Sequence, residues 1–163
     1  MEKAFDSIVL ILTEGIVLAI LILHFISPTL VIGPSMYPHI EELDCLVYNE
    51  GAYIIGEPEY GDIIIIKKDK QYIKRVIGKP GDTIVIKGGK VYRNGSRIED
   101  YVAAGVITGP EMTVELDQDE YFVLGDNREC STDSREEDFG TVKKDEIVAK
   151  AVFRICPNPG WLY

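Results

Sequence analysis

The chain has 163 residues, a formal net charge of −10 and 46% hydrophobic residues, enough for one domain plus a tether. Acid clusters at Glu111–Glu120 and Glu136–Asp138 carry much of that charge, which argues against a nucleic-acid surface and against a polybasic lipid patch. The three cysteines, Cys45, Cys130 and Cys156, make no C-x-x-C, and with His24 and His39 as the only histidines no zinc constellation is written. One disulfide is open to three cysteines, and the sequence does not choose its pair.

Residues 7–26, SIVLILTEGIVLAILILHFI, form an apolar run of about 20 residues, roughly 30 Å as a helix. The run continues into Ser27-Pro28-Thr29-Leu30 with no small-residue cleavage pattern, so it is expected to be a retained membrane anchor and not a removable signal. Glu14 is the exception within it, a carboxylate that is costly at mid-bilayer. The alternative is a buried core helix. The first residues, with Lys3 against Glu2 and Asp6, encode orientation weakly.

Beyond the anchor the hydrophobic period changes to that of strands. Thr29–Ile32, Leu43–Asn49 and Gly51–Ile55 read as extended, the last as the start of a strand. Ile63–Ile66 is wholly aliphatic, so a strand buried on both faces. Lys67–Lys70 is a polar hairpin tip and Tyr72–Ile77 the returning strand. Lys79-Pro80-Gly81-Asp82 is a turn. Thr83–Lys87, Lys90–Arg93 and the Asn94-Gly95 turn give successive hairpins. Tyr101–Pro110 is irregular, and Thr113–Leu116 and Tyr121–Leu124 are strands. Gly125–Asp138 is a long polar loop, Glu146–Arg154 a last strand, and Pro157–Gly160 ends the order. The expected fold is mainly β, a barrel or a pair of sheets, with hairpins inserted at residues 83–120.

Ser35 stands between Pro34 and Pro38 just past the apolar run. The prolines stiffen that backbone and keep it out of helix. A serine is a poor nucleophile until a base takes its proton. His39 is near in sequence, but Pro38 blocks helical i, i+4 geometry, so a surface turn histidine is the plainer reading. Lys74 is the stronger candidate. On a strand it shares a face with Tyr72 and Val76, where lost hydration disfavours the ammonium. A neutral amine can accept the serine proton. The bland alternative is an edge-strand lysine snorkelling to water. The loop Gly125–Arg135 is dense in groups that pair and hydrogen-bond, among them Asp126, Ser131, Asp133 and Arg135. It is otherwise a solvated loop or a calcium loop, although the EF-hand spacing is not met.

Four blocks in this order resemble the type I signal peptidases, membrane-anchored Ser–Lys proteases. They are Gly33–Pro38, Gly61–Ile66, Lys74–Asp82 and Gly125–Arg135. The resemblance spans nearly the whole chain and suits the bacterial, Gram-positive-like form with a short insert. It implies a β-rich catalytic domain, a β-barrel or two sheets, tethered by one N-terminal transmembrane helix. Residues 1–6 would be cytoplasmic, 7–26 the anchor and 27–163 the extracytoplasmic domain. It implies Ser35 as nucleophile, Lys74 as general base, Ser131 as the group orienting the amine, and Asp126, Arg75, Asp133 and Arg135 as the scaffold. Val31, Ile40, Tyr72 and Ile73 would line shallow pockets. The implied partners are the lipid bilayer and preprotein signal peptides with small residues at the first and third positions before the cut. No metal or organic cofactor is implied. Two departures stand out: Pro38-His39-Ile40 where the family has Pro-Thr-Leu, and Gly33 where some members place an oxyanion-binding serine. The competing readings are a tethered β-domain that binds extended peptides without cutting them, and a self-cleaving regulator.

Overall fold

The computed structural model describes residues 2–98, 101 and 106–162, with backbone alone for 2–5 and 18–24. The sequence-predicted irregular stretch at 101–110 therefore lies partly outside the described residues. Helix α1 (Glu2–His24) leads into β1 (Ile26–Leu30) and β2 (Cys45–Asn49). Then come β3 (Ile63–Lys67), β4 (Gln71–Gly78), β5 (Thr83–Lys87), β6 (Lys90–Arg93) and β7 (Ser96–Arg97). The chain closes with β8 (Met112–Glu115), β9 (Glu120–Leu124), β10 (Val142–Lys143), β11 (Ile147–Cys156) and β12 (Gly160–Trp161).

The strands make two sheets. The larger runs β1-β2-β11-β3-β4-β9-β10, with β12 beside β11, and the smaller runs β7-β6-β5-β8. Among the described residues neither sheet closes, so of the two expected forms it is the pair of sheets that is found, not the barrel. All the pairings are antiparallel.

The aliphatic run in β3 explains its central place. Ile64 and Ile66 enter one core with Val76, Tyr121, Val123 and Phe139. Ile63 enters a second core with Val31, Met36, Ile40, Leu46 and Ala151. A strand with apolar residues on both faces is stable only where both faces are covered. A third core, built on Ile77, Ile84, Leu116 and Phe122, joins the two sheets. Gly78 marks the closest approach: a Cβ there would meet Ile84 Cδ1 and Leu116 Cδ1 at 2.8 Å.

Gly51–Ile55 is a turn and not the expected strand. Asn49 ends β2, and its side-chain oxygen accepts the Gly51 N–H at 2.8 Å. That local bond offers the backbone an alternative to a ladder. Ile54 and Ile55 are left 68% and 98% exposed.

The expected anchor at 7–26 falls largely within α1. Among the described residues no helix is long and apolar enough to cross a membrane.

Candidate active site

The loop between β1 and β2 carries Ser35, and its base is closed by backbone bonds. Val31 N–H donates to Asp44 O and Leu43 N–H to Val31 O, both at 2.9 Å. Met36 and Ile40 are buried in the core beneath, 1% and 0% exposed. These two apolar plugs hold the loop while Ser35, just before the first of them, stays half-buried at the surface. Glycine is required at position 33, where φ is +89°.

Lys74 comes from β4, which lies between β3 and β9 and is therefore not an edge strand. Its side chain is 2% exposed. Nζ sits 3.0 Å from Ser35 Oγ and 2.8 Å from the Ile73 carbonyl oxygen. Burial pulls the amine down from the usual lysine value to about 8; the Asp133 carboxylate opposes this and Lys70 adds to it. A lysine so placed is a base within reach of a hydroxyl near neutral pH.

The Gly125–Arg135 loop binds the two halves together. Asp126 and Arg75 form a bidentate buried pair, with Arg75 Nε donating at 2.9 Å and Nη2 at 2.7 Å. Arg75 also donates to the Gly61 carbonyl at 2.8 Å and stacks on the Tyr101 ring at 3.9 Å. Asp133 accepts two bonds from the Arg135 guanidinium, at 2.7 and 2.8 Å, one from the Arg135 backbone N–H at 3.3 Å and one from the Gly125 N–H at 2.9 Å. Both carboxylates are thus engaged by guanidinium groups, which removes the oxygen donors that a calcium loop would need.

His39 does not meet Ser35. Its Nδ1 lies 3.1 Å from Asp126 Oδ2, with the side chain 46% exposed. Its carbonyl accepts from Arg154 Nη1 at 3.1 Å. Ser131 Oγ is buried with no hydrogen-bond partner. A Cβ on Gly125 would stand 2.2 Å from that hydroxyl and 2.4 Å from the Ser35 carbonyl oxygen, so Ser131, Gly125 and the nucleophile loop are in mutual contact.

A cleft of about 490 Å³ opens between the chain at 29–36 and β4, with Ser35 and Lys74 in its wall. Val31, Tyr72 and Ile73 line it, as expected; Ile40 does not, being wholly buried below the loop.

Sequence reasoning counts Asn127 only among the oxygen ligands of the calcium-loop alternative and assigns no role to Arg128. Asn127 clamps the nucleophile loop: its N–H donates to Ser35 O and its side-chain amide to Pro34 O, each at 3.1 Å. Arg128 is 4% exposed and donates to the Gly125 carbonyl at 2.9 Å. Both lie in the block already singled out, but their partners are backbone carbonyls and, for Arg128, also the Thr108 hydroxyl, a match the sequence does not display.

Comparison with known proteins adds to this geometry. A family model described as "Signal peptidase, peptidase S26" matches residues 4–156. Signal peptidase I of Bacillus amyloliquefaciens is 41% identical over 157 residues, covering 88% of this chain and 81% of that protein. Signal peptidase I T of Bacillus subtilis (strain 168) is 39% identical with the same coverage. Signal peptidase IB of Staphylococcus aureus (strain COL) is 31% identical, covering 96% of this chain and 91% of that protein. A crystal structure of a signal peptidase I from Enterococcus faecalis V583 is 32% identical, with a TM-score of 0.49 over 57% of this chain and 95% of that one.

Proposed function

Since the chain belongs to the type I signal peptidases, a family of serine peptidases, and is of their Gram-positive-like kind, we propose that Ser35 and Lys74 are the dyad with which it removes signal peptides from exported preproteins. The observation that carries this is the 3.0 Å approach of a buried lysine amine to a serine hydroxyl in the wall of a cleft.

In this mechanism neutral Lys74 takes the Ser35 proton as Oγ attacks the scissile carbonyl. An acyl-enzyme forms and the mature protein leaves with its new N-terminus. Lys74 then deprotonates a water that releases the signal peptide. Gly33 offers no hydroxyl, so the oxyanion is received by the Ser35 N–H with help from water or another backbone group. Ser131, in contact with Gly125, orients the Lys74 amine once substrate fills the cleft. Asp126, Arg75, Asp133 and Arg135 hold the two loops in register. Small residues at the first and third positions before the cut fit shallow pockets formed by Val31, Tyr72 and Ile73.

The reading extends to the membrane. The apolar side chains of α1 that are described, Ile8 to Leu12, Ile16 and Val17, are 41–67% exposed. Phe25 and Ile26 follow at once, and the Gly51–Ile55 turn lies against Phe25. A bilayer covers such a surface, with the catalytic domain docked on its extracytoplasmic side.

The test is cleavage of a signal-peptide-bearing preprotein in detergent micelles. Ser35→Ala and Lys74→Ala are expected to be inactive and His39→Ala active. A folded but inactive His39→Ala protein would mean that the base is wrongly assigned. Wild type that binds the preprotein and cuts nothing would favour a peptide-binding domain.

A further inference from the structure

The strands β2 and β11 bring two thiols together. Their register runs Phe153↔Val47, Arg154↔Leu46, Cys156↔Cys45, with an irregularity between Arg154 and Cys156. In an unbroken ladder Ile155 would face Cys45. The extra residue is a bulge, two residues opposing one, and it advances the register so that Cys156 takes the place. Residues directly opposite in an antiparallel pair have Cα atoms about 4.5–5.5 Å apart. A disulfide accepts about 4.4–6.8 Å. Both thiols are free, Cys45 half-buried and Cys156 exposed. Burial and the neighbouring Cys156 thiol raise Cys45 above the usual thiol value.

The same two strands hold the nucleophile loop. Arg154 of β11 donates to Asp44 Oδ2 and to the His39 carbonyl, each at 3.1 Å. Asp44, next to Cys45, accepts the Glu41 N–H at 3.0 Å. The cysteine pair thus sits one register step beyond the contact that anchors the loop.

We propose that Cys45 and Cys156 are a cross-strand dithiol that closes to a disulfide, latching β11 to β2 behind the Ser35 loop. The oxidant is another disulfide, either a small molecule or a dithiol oxidoreductase. The exposed Cys156 thiolate attacks one sulfur of it; that S–S bond breaks and one thiolate leaves. The Cys45 thiolate then attacks the Cys156 sulfur of the mixed disulfide and expels the second thiolate. Two protein S–H bonds give one S–S bond, the oxidant takes the electron pair, and its two thiolates take the protons. The ring closed is roughly 110 residues long, so the link constrains most of the unfolded domain. Its use in the cell rests on the extracytoplasmic placement proposed above, where disulfides persist.

The experiment uses the full chain in detergent, reduced and then exposed to excess oxidised glutathione. Free thiols counted after denaturation are expected to fall from three to one, or to none where the exposed Cys130 takes up one glutathione, which the intact mass reads. A non-reducing peptide map is expected to join the segments holding Cys45 and Cys156. Tm should rise by roughly 10 °C and return with dithiothreitol. Cys130→Ser should keep the link; Cys45→Ser and Cys156→Ser should each lose it and the rise. A count that stays at three overturns the proposal, as does a link through Cys130, a link only between two copies, or glutathione held on Cys156 without closure. A link that leaves Tm unchanged overturns the latch. The assay scores no cleavage, so a linked protein that cuts no preprotein counts against the Ser35–Lys74 reading alone.

Discussion

Lys74 can serve as a base only when neutral, and burial supplies that form from about pH 8 upward. The kcat/KM for a signal-peptide substrate is therefore expected to fall about tenfold per pH unit below 8 and to level above it. A profile flat from pH 6 to 9 would sink the assignment. The same shift leaves a mark on stability. The folded value lies below the ordinary lysine value of 10.5, so between about 8 and 10.5 the unfolded chain binds the extra proton. This group makes the protein more stable as pH rises through that window, and below about 8 its burial is a constant cost. Gly125 supplies a second prediction. Alanine there would thrust a Cβ into Ser131 Oγ and the Ser35 carbonyl. Gly125→Ala is expected to lower kcat by roughly 100-fold through misplaced groups and, as an overpacked site, also to cost about 1–3 kcal/mol of stability, so kcat is read per folded molecule. The strand pattern alone leaves Lys74 open between a buried amine and a snorkelling edge lysine. The polar Gly125–Arg135 loop and the resemblance single it out, and its burial on a central strand removes the edge-lysine reading. The clamping bonds of Asn127 and Arg128 are not legible, because nothing in the letters tells which carbonyls, or which threonine hydroxyl, turn inward to meet them.

Strand β4 lines the cleft, carries the proposed base and joins the sheets, so changes along it separate these roles. Asp126→Ala would strip the buried Arg75 guanidinium of its carboxylate partner. Removing one member of such a pair costs roughly 3–5 kcal/mol, to be read as a shift of the urea midpoint. Further along, Gly78→Ala would press on Ile84 and Leu116 where the sheets meet. Overpacking of this kind costs about 1–3 kcal/mol, and activity per folded molecule is expected to survive it. Activity lost in proportion to kcat, with stability unchanged, would tie the sheet junction to chemistry. At this scale the strands with a strong aliphatic run, such as Ile63–Ile66, could be placed from sequence. Gly51–Ile55 could not, since its β-favouring isoleucines are overruled by the Asn49 side chain, which folds the backbone into a turn. The facing of Cys156 and Cys45 was hidden for a related reason: a bulge at Ile155 shifts the register, and bulges have no sequence period.

Over the whole molecule the mainly β character followed from period-2 runs broken by turn residues. The long-range order β1-β2-β11-β3-β4 did not, because the last long strand inserts between partners distant in sequence. The tether is tested at this scale. Removing residues 1–24 is expected to leave hydrolysis of a short soluble peptide within about twofold in detergent. Processing of a preprotein in vesicles should fall tenfold or more, since anchoring raises the effective concentration of enzyme at its substrate. Equal losses in both assays would make α1 a structural element and not a tether. The central position of β11 carries a consequence in time. Ser35 belongs to the β1–β2 pair and Lys74 to the β3–β4 pair, and neither pair borders the other; both border β11. While a ribosome is still making the chain, the Ser35 loop and the Lys74 strand are joined through the Gly125–Arg135 loop, but the sheet between them still lacks its middle strand. If Ser35 and Lys74 are the dyad, the sheet that frames them is complete only once β11 has been made, after the loop that bridges them, so a newborn protease reaches its full geometry late in its own synthesis.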